Sequence, residues 1–242
     1  MKISEQWVKV LERIERLKRL DKRFYYVGAK DHRYLFNEPC EESQLADFEK
    51  EHGVALPEEL RFVFLQVGNG GAGPDWGLEP IENWEPRQPN RLWSGADGFE
   101  DTDKLSGMIA IVDRYPSYKV CIICTGERKG QCVGYDGGYI VTNPVSSLAF
   151  EYNRWLDENL PGFELVKSLV DPKANIAEIV EQLIGKKIGR HKFLERRDCL
   201  SAVASYLNIE FNPNEEKAKR RDCLDPELQS RFDQAIAEFR SN

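Results

Sequence analysis

Leu56–Leu78, LPEELRFVFLQVGNGGAGPDWGL, decides the fold, because three physical instructions follow one another within 23 residues. Pro57 has a fixed φ and no N–H to lose, so it suits the start of a helix, and Glu58 and Glu59 in the first turn favour the positive end of its dipole. Leu60, Val63, Phe64 and Val67 then fall on one face at helical spacing, which predicts a buried stripe. Gly68-Asn69-Gly70-Gly71 ends the helix with residues that tolerate positive φ. From Gly77 onward the pattern changes to β-rich runs.

Working outward toward the N-terminus, Glu42–His52 reads as a helix stopped by Gly53, with Leu45, Phe48 and His52 on one side. Trp7, Val10, Leu11, Ile14 and Leu17 form the apolar stripe of a first helix, capped by Ser4 and running to about Lys18. Phe24–Val27 and Arg33–Phe36 read as short strands. Toward the C-terminus, Gly77–Ile81, Met108–Val112, Val120–Cys124, Gln131–Tyr135 and Gly138–Val141 read as strands joined by short turns, an antiparallel meander. A polar loop at about Glu82–Ser106, carrying Trp84 and Trp93, interrupts them, and a loop of that length in a compact domain is usually functional or disordered. Ser146 can cap an aromatic helix with Leu148, Tyr152, Trp155, Leu156 and Leu160 inward, ended by Pro161-Gly162. Three amphipathic helices follow, on Ile176–Leu183, Cys199–Leu207 and Leu228–Phe239. The expected fold is α+β: an antiparallel sheet of about five strands packed with helices over 1–162, plus an all-helical extension over 163–242. The pentapeptide Arg196–Leu200 recurs as Arg220–Leu224, but the likeness stops at its edges and it reads as coincidence.

The chain has 242 residues, 41% of them hydrophobic, enough for a real core, and a formal charge of −7. The 163–242 tail holds 14 basic and 14 acidic residues, so the acidic excess, 27 against 20, lies entirely in 1–162. That balance opposes general affinity for nucleic-acid phosphates and suits a basic partner. No secretory signal or spanning apolar run is readable, and six cysteines without a signal read as reduced thiols, so a cytoplasmic location is expected.

No chemistry-bearing constellation stands out. Gly68–Gly77 lacks the Gly-Lys-Ser/Thr of a phosphate loop and carries Asp75 instead. Cys121 and Cys124 sit on a predicted strand, where residues three apart face opposite sides, unlike a redox or zinc pair. His32, His52 and His191 share no metal-ligand spacing. No catalytic residue, metal ligand or cofactor is assigned. Asp75, Trp76, Trp84, Trp93, Asp101 and Asp103 gather around a turn and a loop instead of a periodic face. They are the candidate partner-binding residues, against the alternative that the tryptophans fold back as a lid on the sheet.

Cys40–Pro80 resembles the SUKH superfamily, whose members include fungal Smi/Knr-type cell-wall regulators and bacterial immunity proteins. The resemblance rests on Leu45, Phe48 and Glu49, then Gly53, Leu56-Pro57, the apolar helix Leu60–Val67, Asn69-Gly70-Gly71 and Ala72–Leu78, and it extends over about Met1–Leu160. It implies a framework that binds protein. The expected function is that of an immunity protein neutralising a cognate toxin, with a basic nuclease-type domain among the candidates, and with no direct contact to nucleic acid or membrane. The alternative is a regulatory scaffold like the fungal members. The tail lies outside what the resemblance covers.

Overall fold

The computed structural model describes residues 2–91, 106–114, 118–136, 139–140, 144, 147–170, 175–184, 187–188, 191–192, 196–212, 217–219 and 226–241. Trp93, Asp101, Asp103, Ser146 and the second pentapeptide copy lie outside them. The chain divides into two compact units: Met1–Leu11 with Asp31–Trp155, and Glu12–Lys30 with Leu156–Asn242.

The first unit is α+β. Its sheet has five antiparallel strands in sequence order, β1 (Glu85–Arg87), β2 (Met108–Asp113), β3 (Tyr118–Ile123), β4 (Cys132–Asp136) and β5 (Tyr139–Ile140). The register pairs Ala110 with Glu85 on one side and with Cys121 on the other, and a bulge lies between Ala110 and Val112. One sheet face buries Met108, Ala110, Cys121, Ile123, Val133, Tyr135 and Ile140. Ile109, Ile122 and Cys132, on the alternate positions, are buried as well. Burial on both faces explains why these strands read as unbroken apolar runs instead of alternating ones.

The same unit holds the start of α1 (Ile3–Leu20), the end of the one-turn α2 (Ala29–His32), α3 (Glu42–His52), α4 (Glu58–Gln66) and the start of α5 (Leu148–Leu169). Trp7, Val10, Ile14 and Leu17 are buried along α1, as the stripe requires. A buried carboxylate ties three of these helices together. Glu59 Oε1 accepts the Trp7 indole N–H at 3.0 Å and the Ala149 N–H at 2.9 Å, while Oε2 accepts the Leu148 N–H at 2.9 Å. Glu59 therefore caps the N-terminus of α5 from another helix, placing a negative charge where the helix dipole favours it.

Several expectations are corrected. Gly77–Ile81 is not a strand: it contributes the single bridges Gly71↔Leu78 and Leu78↔Val112 and then a 3₁₀ turn at Ile81–Asn83. The first strand instead lies inside the anticipated loop, as Glu85-Pro86-Arg87. Pro86 hides it from pattern reading, yet β1 is an edge strand, where a proline and flanking charges are tolerated and discourage further pairing. Phe24–Val27 and Arg33–Phe36 are not strands, because Phe24, Arg33 and Tyr34 all have positive φ, incompatible with extended backbone; Phe36 makes only a single bridge, to Gly71. Pro161 does not end α5. The helix forgoes one backbone bond there and continues to Leu169, its far side anchored by buried Phe163 and Val166.

The second unit packs Val166 from α5 with α6 (Ile176–Leu183), α7 (Arg196–Leu207) and α8 (Pro226–Ser241) around Ile179, Val180, Leu183, Cys199, Val203, Phe232 and Ile236. These helices are the expected ones, but the tail is not wholly helical. Two short ladders, β6–β7 (Lys187–Ile188 with His191–Lys192) and β8–β9 (Glu210–Asn212 with Lys217–Lys219), occupy inter-helix segments that carry no 3.6-residue period. Arg13 pairs with Asp157 and Arg16 with Glu164 within this unit. Asn175 caps α6 by accepting the Ala177 N–H at 2.9 Å.

Candidate functional site

The glycine-rich segment after α4 is a rigid turn. At Gly71, φ is +105° and a Cβ would stand 2.4 Å from the Leu35 carbonyl oxygen; at Gly77, φ is +99° and a Cβ would stand 2.1 Å from the Gly71 oxygen. Only glycine fits either position. The buried Tyr152 hydroxyl donates to the Ala72 carbonyl at 2.7 Å, and the low-dielectric surroundings raise its pKa well above the ordinary phenol range. At the tip, Asp75 adopts φ +50° and its carboxylate pairs with the Arg114 guanidinium, both side chains being mostly sheltered. Arg114 also lies 5.6 Å from the Tyr118 ring centroid. This pairing holds the turn that presents Trp76, whose side chain remains 39% exposed.

The third described candidate, Trp84, does not join it. Trp84 is a core residue, 6% exposed, edge-on to Phe48 at 5.0 Å and Phe64 at 4.7 Å, with its indole N–H given to the Glu79 carbonyl at 3.1 Å. It helps seat the connection between the turn and β1. Asp75 and Trp76 are therefore together on the turn, and Trp84 is elsewhere.

What sequence reasoning missed lies between Leu78 and β1. The chain pairs with β2 at Leu78–Val112, leaves the sheet for the 3₁₀ turn, and returns to pair Glu85 with Ala110. The excursion frames a polar concavity of about 410 Å³, lined by Glu79, Asn83, Glu85, Ala110, Val112, Asp113 and Lys119. Asn83 donates to Glu79 Oε2 at 3.1 Å. Lys119 pairs with Glu85 and lies 3.5 Å from Asp113 Oδ1. Burial works to lower the Lys119 pKa, but the hydrogen bond to Glu85 and the charges of Asp113 and Glu85 together raise it, so it stays an ammonium. Three carboxylates against one ammonium leave this depression with a formal charge of −2. The signal present in the sequence was the proline-bearing, charged edge strand, but its partners lie about 25–35 positions downstream and only the register brings them together.

The five described cysteines are poor reagents where they stand. Burial pushes the thiols of Cys121, Cys124 and Cys199 up to about 12 and that of Cys40 up to about 11, and it drives Cys132 well above its ordinary value. Among the described residues, no three His, Cys, Asp or Glu side chains converge in a metal-binding arrangement, and no helix is long and apolar enough to cross a membrane.

In comparison with known proteins, residues 39–153 fit the model of the SMI1 / KNR4 family (SUKH-1). That span contains α3, α4, the glycine-rich turn, all five strands of the sheet and the first turn of α5. No curated protein and no solved structure matches the chain.

Proposed function

Residues 39–153 belong to the SMI1 / KNR4 family (SUKH-1), and from that premise we propose that the chain is a non-catalytic immunity protein that binds and neutralises a cognate toxin with a basic surface. The observation that carries this reading is the acidic concavity at the β1–β2 edge of the family domain. It supplies carboxylates that are positioned by a lysine and an asparagine but exceed them in charge. A cationic side chain entering it gains two or more carboxylate contacts. The long-range field of the acidic first unit would meanwhile speed encounter with a basic partner. Trp76, on a turn too constrained to collapse, adds an apolar contact of the kind that dominates interface energies. Binding needs these features and no reacting group.

Co-expression with the protein encoded beside it tests the proposal. The expected outcome is relief of that protein's toxicity and recovery of a one-to-one complex. Unchanged toxicity with no co-purification would overturn the reading, and stable capture of housekeeping regulators would replace it with the scaffold alternative.

A further inference from the structure

The second unit carries a surface of the opposite sign. Between Lys18 and Lys30 stand five basic residues, Lys18, Arg19, Lys22, Arg23 and Lys30, and one acidic residue, Asp21, in a chain of formal charge −7. Asp21 offers nothing to solvent, because it is completely buried and serves as the organiser of the loop after α1. Its Oδ1 accepts the Tyr25 N–H at 2.7 Å and the Ser205 hydroxyl at 2.5 Å, and its Oδ2 accepts the Tyr26 N–H at 3.1 Å. Ser205 Oγ in turn accepts the Arg23 N–H at 2.9 Å. The loop is thus built around a saturated carboxylate, with Phe24 held at φ +57°. Ala29, completely buried, closes it. What this scaffold presents is Tyr25, 40% exposed, and Val27, 51% exposed, between the exposed Lys22 and Lys30. Lys22 sits 5.0 Å from the Tyr206 ring centroid, so its stem is steered along the surface.

We propose that this loop is a docking surface for an acidic protein segment carrying an aliphatic or aromatic side chain between its carboxylates. The argument is charge complementarity joined to an apolar centre. Along the chain an ammonium stands on each side of Tyr25 and Val27, which matches a peptide with acidic residues flanking a hydrophobic one. A single-stranded nucleic acid fits less well. Val27 offers no stacking face, and the acidic whole repels polyphosphate. The proposal does not depend on the acidic concavity of the first unit and survives or fails separately from it.

The test is fluorescence anisotropy of the full chain with a labelled ten-residue peptide of glutamates and aspartates around a central Leu-Phe. Parallel arms use the same peptide with Ser-Ser at its centre, a lysine peptide, and oligouridine of equal length. Two double variants probe the surface, Lys22→Glu with Lys30→Glu and Tyr25→Ser with Val27→Ser. Both leave Asp21 and Ser205 in place, and an unchanged circular-dichroism melt verifies their folding. The acidic Leu-Phe peptide should bind in a salt-dependent manner, at least tenfold more weakly to the charge-reversed chain and at least fivefold more weakly to the serine chain. No saturable binding, equal binding by the variants, or tighter binding of oligouridine would overturn the proposal. So would self-association of the chain that the charge reversal abolishes, since it would assign the surface to a second copy.

Discussion

Glu59→Gln removes one acceptor from the point where α1, α4 and α5 meet. In its best orientation the new amide keeps its oxygen toward Trp7 and Ala149 and turns its NH2 toward the Leu148 N–H, donor against donor. One charge-assisted bond worth about 1.5–3 kcal/mol disappears, a buried donor is left unsatisfied at about 1–3 kcal/mol, and the favourable charge at the α5 N-terminus is gone. Relief of carboxylate desolvation offsets part of this. The net cost should be about 2–4 kcal/mol, and Glu59→Ala, which frees all three donors, should lie at or above the top of that range. All five tryptophans lie in the first unit, so tryptophan emission during urea unfolding reports chiefly on that unit. With a slope of about 2 kcal/mol/M the midpoint should fall by about 1–2 M. A cycle with Trp7→Phe should show coupling of about 1 kcal/mol. An E59Q midpoint within experimental error of wild type, or strict additivity in the cycle, would refute the claim that this carboxylate holds the three helices.

Further outcomes follow from the same geometry. Gly77→Ala places a methyl against the Gly71 oxygen at a φ that L-residues rarely adopt, and should destabilise the first unit by about 2 kcal/mol or more in the same urea assay. The five described thiols should not react with a disulfide reagent in the native chain at pH 8, and should become reactive in guanidinium. Because burial raises the folded pKa of Cys121 and Cys124 from an ordinary 9.0 to about 12, their contribution to stability is fully present below pH 9. It should be lost as pH rises from 9 to 12, which denaturant midpoints across that range would record. Glu164 has the opposite sign: its hydrogen bond and ion pair with Arg16 lower its pKa, so its contribution holds above the ordinary carboxylate value and should fade in acid. Glu164→Gln should flatten that acid limb.

How far the sequence could be read depended on whether a residue's role follows from its neighbours in the chain. The stripe of α1, the Pro57 start of α4 and strands β2 to β5 were legible because burial there repeats at short period or runs unbroken. Strand β1 was not, since Pro86 argues against a strand unless one knows that it lies at an edge. Pro161 misled for a related reason: local propensity says stop, and the tertiary burial of Phe163 and Val166 says continue. Asp75 and Trp76 were singled out and do stand together on the turn, whereas Trp84 reads the same in sequence and is packed between Phe48 and Phe64. The concavity could not be read at all, because Glu79, Glu85, Asp113 and Lys119 meet only through strand register.

The most direct test of the central claim is calorimetric titration of the purified toxin domain into the chain, wild type beside Glu79→Gln/Glu85→Gln/Asp113→Asn. The account predicts a one-to-one complex that the neutralised chain forms at least tenfold more weakly at low salt, with the difference shrinking as salt is raised. Equal affinity for both chains at every salt concentration would contradict it.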